Sequence, residues 1–303
     1  MVGLLNGLSS CQYLYEGKKL VDEKILSLLP EENNYPESIH QAMRYSLLAG
    51  GKRLRPVLVI AATEAVGGDC EAVLAFAVAT EMIHTYTLIH DDLPALDNDD
   101  IRRGKPTNHK VFGEAIAILA GDALLTEAFI LMTRSEGMGS VPAECVLSAS
   151  HEMATALGSK GMIGGQVVDL ESEGKPIDAE TLEYIHTYKT GFLIRACIRC
   201  GGMLGQANSR QLSALSLFGS RIGHAFQIID DILDITGDEE QLGKNIGSDL
   251  NKDKATYPAL YGLEESRRKA EELVKESIAS LEEFDDRANP LREIARFFVQ
   301  RTF

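Results

Sequence analysis

Tryptophan is absent, cysteine is sparse and positive charge is in deficit in this chain of 303 residues. The five cysteines are odd in number and scattered, which excludes a disulfide framework and points to a reducing compartment. Cys197 and Cys200 form a CxxC pair with no second pair to complete a zinc site, so they are expected to be buried free thiols. Thirty basic against 45 acidic residues leave a formal net charge of −15, which argues against nucleic acid or an anionic membrane as the main partner. That charge leaves room for a phosphorylated substrate, because metal ions reverse the local sign. No apolar run reaches the roughly 18 residues of a membrane span. The N-terminus shows no basic segment followed by a sustained apolar core, so a cytoplasmic protein is expected. Alternating β-branched runs are scarce, as are low-complexity linkers and short repeats.

What is present is helical. A composition of 45% hydrophobic and 25% charged residues is that of a globular protein, not a disordered or fibrous one. In EAVLAFAVATEMIHTYTLIH, residues 71–90, apolar side chains recur over five turns with almost no breaker, which predicts a mostly buried helix. Similar patterns cover 36–49, 113–134, 142–158, 179–204, 209–236, 258–283 and 290–301, with most prolines between them. The charged stretch 262–287 reads as an outer helix with a solvated face. The expectation is one all-α domain spanning 1–303.

Two acidic clusters interrupt this pattern. The segment LIHDDLPALDNDDIRRGKPTNH, residues 88–109, crowds Asp91, Asp92, Asp97, Asp99 and Asp100 at the end of an apolar helix, where the helix dipole disfavours them. In FQIIDDILDITGD, residues 226–238, a rotation of about 100° per residue puts Gln227, Asp230, Asp231 and Asp234 within one narrow arc. A charge run is usually a solvated stripe, but Phe226, Ile229 and Leu233 flank this one with core-like bulk. Carboxylates near an interior need counter-charge. A shared cation would explain both clusters, and an all-oxygen donor set with no histidine or cysteine at ligand spacing favours magnesium. An EF-hand starting at Asp97 fails, because Arg102 stands where that loop needs glycine. A phosphatase reading of DNDD needs a preceding buried strand, and none is evident.

Magnesium takes one or two carboxylates and completes its shell with water and phosphate oxygens. Two aspartate clusters therefore read as the jaws of a metal-bridged polyphosphate site. Cations follow closely: Arg102, Arg103 and Lys105 after the first cluster, and Lys52, Arg53 and Arg55 in GGKRLRP at 50–56. Lys189, Lys244, Lys252 and Lys254 are further candidates. Guanidinium forks match phosphate oxygens in paired hydrogen bonds.

GGKRLRP, DDLPALDNDDIRRGKP and DDILD together closely resemble the trans-isoprenyl diphosphate synthases, especially the short-chain bacterial farnesyl type with a DDxxxxD first motif. The resemblance runs from about residue 37 to the final FFVQR and includes GGQVVDL, KTG and DLNKDKATYP. It implies an all-helical bundle around a central cavity, and magnesium bound by Asp91, Asp92 and Asp97 from one helix and by Asp230 and Asp234 from the opposite one. Lys52, Arg55, His84 and Arg103 match positions that hold isopentenyl diphosphate. Arg102, Lys189, Thr190, Gln227, Lys244 and Lys254 match those around the allylic diphosphate. Tyr86, five residues before Asp91, matches the position whose bulk stops the product near fifteen carbons; the plainer reading is a core aromatic with a hydrogen-bonded hydroxyl. A homodimer is implied as well. The resemblance leaves open a geranylgeranyl diphosphate synthase with a deeper cavity, and a non-catalytic subunit of a heteromeric synthase. A terpene cyclase would have no use for GGKRLRP.

Overall fold

The computed structural model describes residues 10–134, 139, 141–175, 177–236 and 256–300. Its centre is made by two helices that are apolar nearly all round. These are α3 (Leu54–Ala65), buried from Pro56 to Ala65, and α4 (Cys70–Asp91). A helix hydrophobic on every face has to be enclosed by others. Helices α1 (Ser10–Leu28) and α2 (Glu37–Leu47) cover α4 on one side, and α6 (Glu114–Thr133) runs along it after the short α5 (Asn108–Phe112). Then follow α7 (Ala143–Leu157), α8 (Met162–Ser172), α9 (Ala179–Ile185) and α10 (Phe192–Leu204), the last packed on α3, α7 and α11 (Ser209–Thr236). Helices α12 (Tyr257–Tyr261), α13 (Leu263–Ala279) and α14 (Asn289–Gln300) close the outside. The buried apolar side chains form a continuous core.

Close approach explains part of the glycine content. A methyl group at Gly201 would run into the Val59 carbonyl, so only glycine lets α10 lie this near α3. The Thr63 hydroxyl ties the pair by donating to the Gly201 carbonyl over 2.9 Å.

Several expected boundaries move. The 258–283 helix is broken at Gly262, whose φ of +80° stops α12 before α13 begins, and α13 ends at Ala279 rather than reaching 287. Between α9 and α10 the chain stays helical but widens into a π turn over His186–Gly191, a distortion that often marks functional positions. Helices α1, α3, α5 and α8 were not anticipated by periodicity. The expectation of almost no strand holds among the described residues apart from a two-residue hairpin, Ile101–Arg102 paired with Lys105–Pro106.

Contrary to the sequence expectation that no run is long and apolar enough for a membrane span, two helices, Cys70–Asp91 and Glu114–Thr133, reach it by length and composition alone. The first is the core helix of the fold. The second leaves Ile118, Leu119 and Ile130 exposed.

Candidate active site

The first acidic cluster forms where α4 runs out. Asp92 caps the helix through its backbone N–H, and the chain then turns around Pro94. The Asp97 N–H donates to the Asp91 carbonyl over 2.8 Å, and the Asn98 N–H to the Leu93 carbonyl over 3.1 Å. This turn folds the Asp97 end of the motif back onto the Asp91 end, as a shared ion would require. Burial, with Asp97 and Asp92 nearby, pushes the Asp91 carboxyl up to about 6, although Lys189 and Arg102 pull it down. Withdrawal from water is thus the main reason the charged form is disfavoured here.

Asp92 is 3% exposed and is gripped by Arg102, whose Nε and Nη2 lie 2.9 and 2.5 Å from its Oδ1; the same Nη2 reaches Asp99 at 2.9 Å. Arg102 and Arg103 stand on the hairpin, where Arg103 (φ +54°) and Gly104 (φ +73°) make the tight turn. Two positive φ values in a row are the signature of a type I′ hairpin turn. Arginine is an unusual residue for it, which is why the hairpin was not visible in the sequence.

The basic side of the site is organised by a residue that sequence reasoning missed. Glu81, on α4 and 1% exposed, accepts from Arg53 Nη1 at 2.8 Å and from Arg103 Nη2 at 3.4 Å. Arg53 also donates from Nε to Asp22 on α1 and from Nη2 to the Leu47 carbonyl ending α2. It is therefore a buried structural cation, whereas Lys52 beside it is exposed. Arg55, on the first turn of α3, has its Nε buried without a hydrogen-bond partner. Burial lowers its pKa, opposed in part by Glu81 on α4 and Asp230 on α11. Arg55 thus senses carboxylates on both α4 and α11. His84, one turn beyond Glu81 on α4, is held well below its ordinary pKa by burial and by Arg55, Arg103, Arg102 and Arg53, so it is neutral.

On α11, Asp230 is half-buried and Asp234 is 1% exposed. Asp231 is a structural residue: it accepts from the Tyr257 N–H at 2.8 Å and from Gln227 Nε2 at 3.0 Å, and lies 3.2 Å from His186 Nε2. Gln227, expected at the allylic diphosphate, thus turns along α11 to Asp231. Lys189 and Thr190 sit on the π turn, where Lys189 Nζ contacts Asp169 on α8 at 2.5 Å. Gly165, in the same GGQVVDL stretch, allows this approach, since a methyl group there would strike the Lys189 backbone. Asp169 was legible only as part of that motif, without a role. Lys244, Lys252 and Lys254 lie outside the described residues.

Among the described residues no three carboxylate, histidine or cysteine side chains converge as a ready-made cage. Two separate all-oxygen clusters, with an Asp91 carboxyl whose charged form is disfavoured chiefly by burial, fit a hard cation that draws part of its shell from substrate phosphates. Cys197 and Cys200 are buried free thiols, and burial pushes Cys197 up to about 12 and Cys200 well above its ordinary value, which disfavours the reactive thiolate. Tyr86 is 6% exposed beneath Asp91, and its hydroxyl has no hydrogen-bond partner. This differs from the satisfied hydroxyl of an ordinary core tyrosine.

The neutral His84 sets a pH test. The unfolded chain protonates this imidazole below about pH 6.5, and the folded site refuses the proton, so stability falls as pH drops below that value. His84→Gln is expected to flatten the acid limb of the stability curve, by up to about 1.4 kcal/mol per pH unit for one proton, with no change above pH 7. Urea unfolding at a series of pH values, with magnesium absent, measures this directly.

The chain was compared with known proteins. Residues 36–294 match the family model described as Polyprenyl synthetase. A geranylgeranyl diphosphate synthase of Cyanophora paradoxa is 48% identical over 291 residues, covering 95% of each chain. The farnesyl diphosphate synthase of Bacillus subtilis is 48% identical over 265 residues, covering 88% of this chain and 89% of its own. Among solved structures, an FPP/GFPP synthase from Zymomonas mobilis superposes with a TM-score of 0.85 at 38% identity, over 96% of this chain and 98% of that one. With the match spanning nearly the whole fold and both aspartate motifs, the chain belongs to the polyprenyl synthetase family of trans-prenyltransferases.

Proposed function

We propose that this prenyltransferase condenses isopentenyl diphosphate with dimethylallyl or geranyl diphosphate and releases farnesyl diphosphate. The observation that carries the product length is Tyr86, a buried ring under Asp91 whose hydroxyl is unpartnered and whose edge packs on His90 at 5.7 Å. A chain growing down from the diphosphate would meet it. Geranylgeranyl diphosphate remains the second reading, favoured by the name of the Cyanophora relative.

In this reading Asp91, Asp97, Asp230 and Asp234 hold magnesium, with Asp92 set behind them by Arg102. When bound, the metal neutralises the leaving diphosphate and draws charge from the allylic carbon–oxygen bond. Lys189, Thr190 and Arg102, with Lys244 and Lys254, orient that diphosphate, and Gln227 supports the wall through Asp231. Lys52, Arg55, His84 and Arg103 hold isopentenyl diphosphate so that its double bond faces the ionising carbon. A neutral His84 donates one hydrogen bond there without adding a further charge to the arginine cluster. After the new bond forms, loss of a proton completes a product five carbons longer. Apolar walls such as α4 keep water from the cation.

The exposed apolar face of α6, continued by Leu147 on α7, supports a homodimer. Sedimentation equilibrium is expected to give twice the chain mass, and Leu119→Glu to shift it toward the monomer; a monomeric parent protein would refute this.

Purified protein incubated with labelled isopentenyl diphosphate and each allylic starter, followed by chromatography of the dephosphorylated products, tests the activity and its product. Asp91→Ala and Asp230→Ala are each expected to keep the helical circular-dichroism signal and lose about 100-fold or more in turnover at moderate magnesium. Near-normal turnover of either would remove that residue from the metal site. Tyr86→Ala is expected to lengthen the product, and an unchanged product profile would end its chain-length role.

A further inference from the structure

We infer that Glu81 is a positioning residue: from beneath the site it fixes the guanidinium of Arg103 at the isopentenyl diphosphate subsite. The inference rests on the reading of Arg103 as a ligand of that diphosphate.

The three charged partners have different amounts of freedom. Arg53 has every guanidinium nitrogen engaged, by Asp22, Glu81 and the Leu47 carbonyl, and its side chain is 1% exposed. It cannot turn toward a substrate. Glu81 is an anion sealed at 1% exposure, so it neither reaches nor favours a diphosphate. Arg103 keeps a side chain 18% exposed, with Nη1 donating to the Gly50 carbonyl at 2.6 Å and Nη2 held 3.4 Å from Glu81 Oε1. The guanidinium lies over Gly51, whose φ is +117°; a Cβ there would stand 2.7 Å from Arg103 Cζ. Two anchors, one carbonyl and one carboxylate, therefore set the plane of the fork that faces the substrate.

Without Glu81 the balance changes. Burial already lowers the Arg103 pKa, Arg53 and Arg55 add to that, and Glu81 is the opposing influence. Removing its charge leaves like-charged guanidiniums facing one another and Arg103 with a single anchor. Two consequences have opposite signs in KM. A stronger positive field alone would tighten diphosphate binding, whereas a displaced fork weakens it. A paired fork depends on its angle, so misplacement is expected to prevail.

Steady-state kinetics with both substrates varied separately tests this. Glu81→Gln is expected to raise the KM for isopentenyl diphosphate about tenfold while the allylic KM stays unchanged. In an Arg103→Ala background the same substitution should add nothing further, since the two act as one unit. Asp22→Asn, which loosens only Arg53, should lower Tm without this selective change. Should Glu81→Gln fail to fold, Arg103→Lys keeps the charge but loses the two-anchor fork and is expected to show the same selective rise. A uniform loss in kcat and in both KM values, an unchanged or lowered KM for isopentenyl diphosphate, or an additive double variant would overturn the role of Glu81. If Arg103→Ala itself left that KM untouched, the assignment of the subsite would fall, and this inference with it.

Discussion

A carboxylate and a guanidinium shut away from water, Glu81 and Arg53, join four helices at one point: α1 through Asp22, α2 through the Leu47 carbonyl, α3 through Arg53 at its start, and α4 through Glu81. Such a pair contributes little net stability over a well-packed apolar substitute, because desolvating both charges offsets their attraction. Removing one partner is a different matter and costs about 3–5 kcal/mol, since the other is left buried and uncompensated. The pair is thus best understood as fixing geometry. Arg53 stands in the left-handed region, at φ +51°, at the start of α3.

The acidic side follows the opposite logic. Around Asp91 burial is what raises the carboxyl, to about 6, because a charge withdrawn from water is disfavoured even with Lys189 and Arg102 drawing the value down. Cations are present but already committed, Arg102 to Asp92 and Asp99, and Lys189 to Asp169. Asp92 is buried, so the Arg102 contact is what compensates its charge, and the Lys189–Asp169 contact is only partly open to solvent.

Packing carries the same division into the scaffold. The glycines at 165 and 201 bring α8 and α10 against their neighbours, and the π turn between α9 and α10 aims Lys189 toward the acidic cluster. On the far side, Asp231 collects Gln227, His186 and the Tyr257 N–H, anchoring the start of α12 to α11. A sequence stripe of four polar residues on α11 thereby divides: Gln227 and Asp231 pair to hold the wall, while Asp230 is half-buried and Asp234 buried.

By itself the sequence determined the helical class, the long apolar α4, the whole of α11 and the two aspartate motifs. Each of these is a local signal: a 3.6-residue period, or charge crowded where a core is being built. It also singled out the arginines, but not which of them serves the fold. Arg53 and Arg55 are two residues apart with the same chemistry, and only the position of Glu81 and Asp22, brought from 28 and 31 residues away, makes one structural and leaves the other with an unmet donor. The Arg103–Gly104 turn and the break at Gly262 were likewise decided by tertiary contacts and backbone conformation, which periodicity does not encode. Burial and partner geometry are properties of distant segments meeting, and no window along one strand of sequence contains them.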